Sequence, residues 1–415
     1  MGKDVLLVAH FCNDFDGEGN GRFNYLADLL ASNGYAVEFV TSDFSHTKKK
    51  KRDKQTAGLH FNVTYIPEPS YSRNVSIKRF YSHFMMGRNL KKYLKTRKKP
   101  DVIYCAVPSL DAAMAVSKYA RKNKVKFIID VQDLWPEAFR MVFNIPVVSD
   151  LIFYPMEKMA DHIYQSADEI VAVSETYMNR ALKVNKKLQS GHCIYLGTDL
   201  HQFDLFPVSS MKNSKLEGEI WIAYVGTLGS SYDLISVIDA LRILKERGEN
   251  RLKFIVMGDG PLKEKFESCA KESSVEALFT GRLQYKEMVG ILKACDIAIN
   301  PIAKGAAQSI INKHADYASA GLPVINTQES REYRELIEQY NMGLNCNPED
   351  PEDIAEKIMI LINNQELRLQ LGRNGRKLAE ERFDRRKNYQ RILNLIDKYA
   401  SNEYESQSLH VGDEG

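Results

Sequence analysis

No apolar run in this 415-residue chain approaches the roughly 20 residues that span a bilayer, which argues against a membrane-spanning helix. The opening DVLLVAHF is too short for a secretory leader and runs into the polar CNDFDGEGNGR, so a cleaved signal peptide is not expected. Cysteine is sparse: Cys12, Cys105, Cys193, Cys269, Cys295 and Cys346 form no CxxC pair and have no histidine cluster nearby. That pattern implies reduced thiols in a cytoplasm and no structural zinc. Short-period repeats are absent, as is low-complexity sequence beyond KKKKR at 48–52. A strong charge of one sign is missing too, with a net charge of +3. The balance is uneven, however. Residues 1–205 hold 29 Lys and Arg against 22 Asp and Glu, and the remainder holds 28 against 32. A basic first half suggests a partner that only this half touches, although two solvated surfaces of unequal charge would read the same way.

What is present is a recurring strand–helix alternation. Apolar, β-branched runs lie at 5–9, 37–41, 61–66, 102–107, 126–131, 169–174 and 193–196, and again at 220–226, 253–258, 296–300 and 323–327. Such near-continuous apolar runs with helices between them predict parallel sheets covered on both faces. The order restarts near 220, after the polar SSMKNSKLEGE (209–219), which reads as a linker. The expectation is an α/β protein of two Rossmann-like domains, with parallel sheets facing across a cleft. Residues 1–208 are expected as the first domain and 209–380 as the second. Amphipathic helices are expected at 351–381 and 385–400. The last of them, within 381–400, returns to the first domain, and 401–415 is a disordered tail.

Ligands of open parallel sheets bind beyond the carboxyl ends of the strands. Glycine loops follow several of these ends: Gly17, Gly19 and Gly21 after the first strand, and Gly226 and Gly229 after the strand at 220. Such loops let a phosphate approach backbone N–H groups, and they also serve as plain tight turns. The stretch SIINKHADYASAGLPVINT (309–327) reads as a helix from Ser309 that Gly321-Leu322-Pro323 ends before a strand. Lys313 and Asp316 are three positions apart and share a face. Lys313 with the helix N–H groups near Ser309 and Ile310 suits a diphosphate, and Asp316 suits a ribose diol. The plainer alternative is a surface ion pair between the two.

NKHADYASAGLPVI resembles the nucleotide-sugar motif of the GT4 family of retaining glycosyltransferases, which have the GT-B fold. GEGNGRFNYLADLL, KKPDVIYCAVPS, IIDVQDLWPEAF, SADEIVAVSETYMNRAL, CIYLGTDLHQFDLFP, YVGTLGSSYDLISVIDAL, FIVMGDGPLKEKF and FTGRLQYKEMVGILKACDIAINP resemble further landmarks of that family in order, over residues 1 to about 400. The forms DLWPE and NKxxDYxxAGLPV are most similar to WbuB-type enzymes of capsule and O-antigen assembly. The departures are specific. Where the family carries two glutamates eight positions apart, this chain has Gln308 and Asp316. Where many members carry an Arg and a Lys after the VG strand, it reads GTLGSSYDL. A histidine often found before Asp133 is Gln132.

The resemblance implies transfer of a sugar, an N-acetylhexosamine or a relative, from a UDP-sugar to a lipid-linked saccharide, with no cofactor and no metal. It implies donor contacts from Gly17, Gly19, Gly21, Gly226, Gly229, Arg282, Leu283, Gln308, Ser309, Ile310, Lys313 and Asp316. Lys313 and Arg282 then stand in for the missing cations. Asp130 and Asp133 in DVQDLWPE are catalytic candidates on the acceptor side, and equally candidates to cap the next helix. His10 follows the first strand, where a substrate contact is one reading and a hydrogen-bonded structural histidine the plainer one. Asp14 and Asp16 imitate the DxD signature of a different, metal-using fold and read as loop.

The basic half has a candidate use. IKRFYSHFMMGRNLKKYLKTRKK (77–99) predicts a helix with Phe80, Tyr81, Phe84 and Met85 near one end and cations from Arg88 onward. With KKKKR and the apolar face of 147–164 it suits an anionic membrane surface, and the protein is then peripheral at the cytoplasmic face. The alternative packs those aromatics on the sheet. Nucleic acid is not expected, since no recognised module appears. Two other readings of the whole are a sugar-nucleotide 2-epimerase of the same architecture and a non-catalytic nucleotide-sugar-binding protein.

Overall fold

The computed structural model describes residues 3–15, 21–54, 56, 58–73, 76–142, 148–306 and 309–400. Gly17, Gly19, Gln308, Asp16 and the tail from 401 lie outside them. Two compact units are present, Met1–Ile194 with Lys387–Gly415, and Tyr195–Arg386.

The first unit contains strands β1 (Asp4–Val8), β2 (Ala36–Ser42), β3 (Phe44–Ser45), β4 (Lys50–Lys51), β5 (Asn62–Ile66), β6 (Val102–Val107), β7 (Lys126–Val131), β8 (Glu169–Ala172) and β9 (His192–Cys193). Its helices are α1 (Arg22–Ser32), α2 (Ile77–Thr96), α3 (Leu110–Asn123), α4 (Glu137–Val142), α5 (Val148–Ser166) and α6 (Glu175–Val184). Seven strands make one parallel sheet in the order β5-β2-β1-β6-β7-β8-β9, and β3 pairs antiparallel with β4. The apolar runs dictate this: every residue of β6 is buried, as a strand covered on both faces requires.

In the second unit come α7 (Leu200–Leu205), β10 (Ile220–Val225), α8 (Leu234–Glu246), β11 (Leu252–Met257), α9 (Lys263–Glu272), β12 (Ala277–Gly281), α10 (Tyr285–Leu292), β13 (Ile297–Asn300), α11 (Asn312–Ser319), β14 (Val324–Asn326), α12 (Arg331–Tyr340) and β15 (Gly343–Asn345). They are followed by α13 (Pro351–Asn363), α14 (Gln365–Leu378), α15 (Arg385–Asn388) and α16 (Gln390–Ala400). The parallel order is β12-β11-β10-β13-β14-β15. In both sheets the strand order reverses beside the first strand, at β1/β6 and β10/β13, where such folds bind ligands.

Several expectations are corrected. The stretch 209–219 is not a free linker: it lies inside the second unit, includes a 3₁₀ turn at Ser210–Ser214, and Lys215 pairs with Asp296. The helix expected at 351–381 is two helices, because Asn364 leaves helical geometry and its side chain caps α14 through the Leu367 N–H. Strands β12 and β15 were not expected from the pattern. They are the sheet's edges, and edge strands lack a continuous apolar run. In α16, Ile392, Leu393, Leu395 and Ile396 are buried in the core of the first unit with Val5, Leu7 and Val102.

Candidate functional site

In the second unit the turns after β10 and β13 meet at the strand-order reversal. Tyr317 ties them: its hydroxyl donates to the Ile299 carbonyl (3.1 Å) and accepts the Val225 N–H (2.8 Å). The turns after β10 and β11 approach through glycine, since a Cβ on Gly258 would lie 1.8 Å from the Gly226 carbonyl oxygen. Gly226 itself has φ of 150°. At the carboxyl ends of β13 and β14 a buried amide ladder runs from Asn300 to Asn326 (2.8 Å) and Gln328 (3.0 Å), and Gln328 donates to the Ser309 carbonyl (3.3 Å).

Helix α11 begins at Asn312 rather than Ser309, because Ile311 is extended. Ile311 offers no side-chain acceptor at the cap, so first-turn N–H groups are left for water or a ligand. Two are taken: the Ile311 N–H donates to His314 Nδ1 (3.0 Å) and the His314 N–H to the Ile311 carbonyl (3.0 Å). The His314 proton is therefore on Nε2, which is buried without a partner among the described residues, and the ring stacks on Tyr333 at 3.9 Å. At its other end the helix stops as expected. Gly321 adopts φ of 66°, and a Cβ on Gly372 of α14 would lie 2.1 Å from the Gly321 carbonyl oxygen, so the small residues do permit close packing.

Lys313 and Asp316 do not form the surface ion pair. Both are buried, and they face different neighbours. The Lys313 ammonium lies over the rings of Tyr232 (4.3 Å) and Tyr224 (4.9 Å) and has no hydrogen-bond acceptor among the described residues. Burial depresses its pKa well below the ordinary lysine value. Asp316 Oδ1 accepts from the Tyr285 hydroxyl (2.7 Å), which is also bonded to Thr198 (2.6 Å). Burial raises its pKa to about 6 against the opposing pull of Tyr285 and Arg385. Ser309 has a buried hydroxyl without a partner among the described residues, Ile310 is buried, and Gly229 follows in the turn after β10. Arg282 is exposed and Leu283 half-buried in the turn before α10.

One prediction follows from Asp316. A carboxyl that holds its proton up to pH 6 when folded but only to about 4 when unfolded binds more protons in the folded state across that window. Stability then falls as pH rises from 4 to 6. Asp316→Asn keeps an acceptor for Tyr285 and removes the titration. It is expected to be more stable than the natural chain at pH 7.5, by up to about 3 kcal/mol, and equal at pH 4. Urea titrations at the two pH values test this, and equal stability at both would refute it.

In the first unit the strand ends carry a buried polar cluster. His10, beyond β1, bonds Ser109, beyond β6, through Nδ1 (2.7 Å) and Glu68 through Nε2 (3.0 Å), so it is the structural histidine expected. Glu68 also accepts from Ser42 (2.6 Å) and Ser82 (2.9 Å). Burial works against its charge, yet His10 and the two serines hold its pKa below the usual range. His83 is stacked on Trp135 at 5.6 Å, and burial pushes its pKa down to about 2.

Asp130 is corrected. It is fully buried and salt-bridged to Arg22 (Nε to Oδ2, 2.7 Å; Nη2 to Oδ1, 3.2 Å), with Tyr104 and Gln132 donating to its carboxylate (2.8 and 2.7 Å). It holds the fold and does not present a free carboxylate to an acceptor. Asp133 is half-buried at the end of β7. It accepts from the Leu134 N–H (2.9 Å) and Trp135 Nε1 (3.2 Å), and burial raises its pKa. Gly21 precedes α1 in extended backbone.

The residues missed from sequence are Tyr224, Tyr232, Tyr285, His314, Glu68 and His83. Asn300 and Asn326, polar in otherwise apolar strands, were the available signal for the ladder.

Residues 22–202 match the family described as Glycosyltransferase Family 4, and 208–378 the family described as Glycosyl transferases group 1. The chain is 24% identical over 242 residues to the probable glycosyltransferase WbjE of Pseudomonas aeruginosa, covering 56% of this chain and 59% of that protein. It is 28% identical over 159 residues to an N,N'-diacetylbacillosaminyl-diphospho-undecaprenol alpha-1,3-N-acetylgalactosaminyltransferase of Campylobacter jejuni, covering 37% and 39%. The chain thus spans 60% or less of the length of these curated relatives. Among solved structures, Anabaena HepE in complex with UDP superposes with a TM-score of 0.70 at 15% identity, over 95% of this chain and all of that one. With both sheets ordered as these folds require and both halves matched, the chain belongs to the GT4-type glycosyltransferases of GT-B fold.

Proposed function

We propose that this protein is a retaining, metal-independent glycosyltransferase of WbuB type. It moves an N-acetylhexosamine or a related sugar from its UDP donor to a lipid-linked saccharide, in capsule, O-antigen or exopolysaccharide assembly. The observation that carries the reading is the Lys313 ammonium, buried at a strand-order reversal without an acceptor among the described residues. A cation held there in low dielectric stabilises the charge that develops on a departing diphosphate. It also meets the need left by the Arg and Lys missing from GTLGSSYDL after β10. The UDP seen in HepE and the diphospho-undecaprenol in the name of the Campylobacter relative support the donor and the acceptor.

Helix α2 supports a membrane-facing role. Its first half is inverted: Arg79, Ser82 and His83 face inward, while Ile77, Phe80, Tyr81 and Phe84 are exposed. Leu151, Ile152 and Tyr154 of α5 are exposed as well, and ring contacts run from Phe80 to Phe139 (5.7 Å) and on to Phe153 (6.1 Å). An apolar face turned to solvent and followed by a basic helix end marks a docking surface, here for the cytoplasmic leaflet. No described helix is long and apolar enough to cross a membrane.

The test is transfer of labelled sugar from a panel of UDP-, GDP- and ADP-sugars to undecaprenyl diphosphate-linked saccharides, with vesicle flotation of the natural chain and Phe84→Ser/Leu151→Ser. Transfer from UDP-sugars only, together with weaker flotation of the variant, is expected. UDP-sugar binding without transfer to any lipid acceptor would favour a binding protein and overturn the proposal.

A further inference from the structure

Residues 48–52 do not form a free basic tether. With β3 and β4 they make a hairpin, Phe44 opposite Lys51 and Ser45 opposite Lys50, that walls a cavity of about 350 Å³. Asp14 and Phe15, in the loop after β1, line the same cavity. It therefore lies beyond the carboxyl ends of β1 and β2, where sheets of this kind bind ligands.

The cations of the hairpin have separate fates. Lys51 is committed to Asp43 (2.7 Å) and the Glu68 carbonyl (2.6 Å). Arg52 has a fully buried side chain. It pairs with Asp14 and donates to the Cys12 carbonyl (2.7 Å), while its Nε is buried with no partner among the described residues. Lys48 shares Asp14 at 2.7 Å, and burial of that carboxyl is outweighed by Lys48 and Arg52, which hold its pKa below the usual range. Lys50 is exposed and has no ion-pair partner among the described residues. The lining thus sets four cations against the carboxylates of Asp14 and Asp53, with a buried guanidinium that still has an N–H to donate. Such a lining selects a polyanion.

The volume is at the small end for ligand pockets, which suits a head group better than a nucleotide sugar. The neighbourhood points to a lipid. Lys49 of the hairpin lies over the Tyr71 ring (4.9 Å), and that ring contacts His83 of α2, the helix whose other face is apolar and exposed.

We propose that this cavity holds the diphosphate joining the acceptor's sugar to its lipid, with Lys48 and Lys50 closing on it above Arg52. This rests on the reading of a lipid-linked acceptor. The test uses the full chain and Lys48→Gln/Lys50→Gln. Both lysines are exposed, so the fold is kept. In calorimetry, inorganic pyrophosphate is expected to bind the natural chain and to bind the variant about ten-fold more weakly or worse, the loss of one charge-assisted hydrogen bond or more, while UDP affinity is unchanged. In flotation, vesicles of phosphatidylglycerol with undecaprenyl diphosphate should hold more natural protein than phosphatidylglycerol alone, and the variant should lose only that difference. Pyrophosphate affinity indifferent to the substitutions would overturn the site. Equal loss on both vesicles would reduce the lysines to general attraction for an anionic surface and overturn it as well. Pyrophosphate binding as expected with no UDP binding would leave the site standing and sink the donor reading instead.

Discussion

Asp130→Ala lowers the stability of the first unit by about 3–5 kcal/mol, the usual cost of leaving a buried charge without its partner. The reason is Arg22. Its guanidinium is buried and spends Nε and Nη2 on Asp130, while Nη1 donates to the Ile194 carbonyl (2.9 Å) and the Tyr389 hydroxyl (3.1 Å). Burial works against the charge on Arg22, but Asp130, Tyr389 and Tyr104 together outweigh it and raise its pKa well above the ordinary value. Without the carboxylate, Arg22 remains charged with no route to water, and the Tyr104 hydroxyl loses its acceptor. The measurement is convenient because each unit holds one tryptophan, Trp135 in the first and Trp221 in the second. Urea unfolding followed by fluorescence in a Trp221→Phe background reports the first unit alone. Arg22→Met/Asp130→Leu should recover much of the loss, because an apolar pair needs no counter-charge. An Asp130→Ala protein of natural stability that fails only in transfer would return Asp130 to the acceptor side.

Lys313→Met separates stability from binding. The natural ammonium is held among tyrosine rings without an acceptor among the described residues, so removing its charge leaves the ligand-free protein as stable as before or more so. UDP binding should weaken by about 2–5 kcal/mol, the range for truncating one side of a buried charge pair. The sign of the proton linkage adds a second readout. The folded pKa of Lys313 is depressed, so between that value and the unfolded one, about 10.4, the unfolded chain binds more protons and stability rises with pH. A diphosphate favours the charged form. UDP binding therefore takes up a proton at Lys313 wherever the free lysine is neutral, and affinity falls as pH rises through that range. Calorimetry in two buffers of different ionisation enthalpy detects the uptake. It should vanish in Lys313→Met, and a variant that binds UDP as the natural chain does would remove Lys313 from the site.

These two residues also show what the sequence can and cannot carry. Strands such as β6 and β7 were legible at their bounds because burial on both faces writes a continuous apolar run. The end of α11 was legible from Gly321-Leu322-Pro323, since the left-handed cap is a local requirement. The fate of Asp130 was not, because its partner lies 108 residues away in α1. Nor was that of Lys313: helical spacing offered it Asp316, while the fold supplied Tyr224 and Tyr232 from the β10 side. Helix α2 misleads in a third way. Its aromatics read equally well as core, and only the inward turn of Arg79, Ser82 and His83 leaves Phe80 and Phe84 outside.

The chain leaves the first unit at Ile194 and returns to it at Lys387. Tyr389, Ile392, Leu393 and Ile396, all buried among the strands of β1, β2 and β6, arrive only with that return. On the ribosome, the second unit therefore has its whole sequence available before the first does. The usual order of N-terminal domain first is reversed in completion. Until α16 emerges, one face of the first sheet has apolar surface waiting to be covered, and a chain cut short after Arg386 would carry that open face permanently.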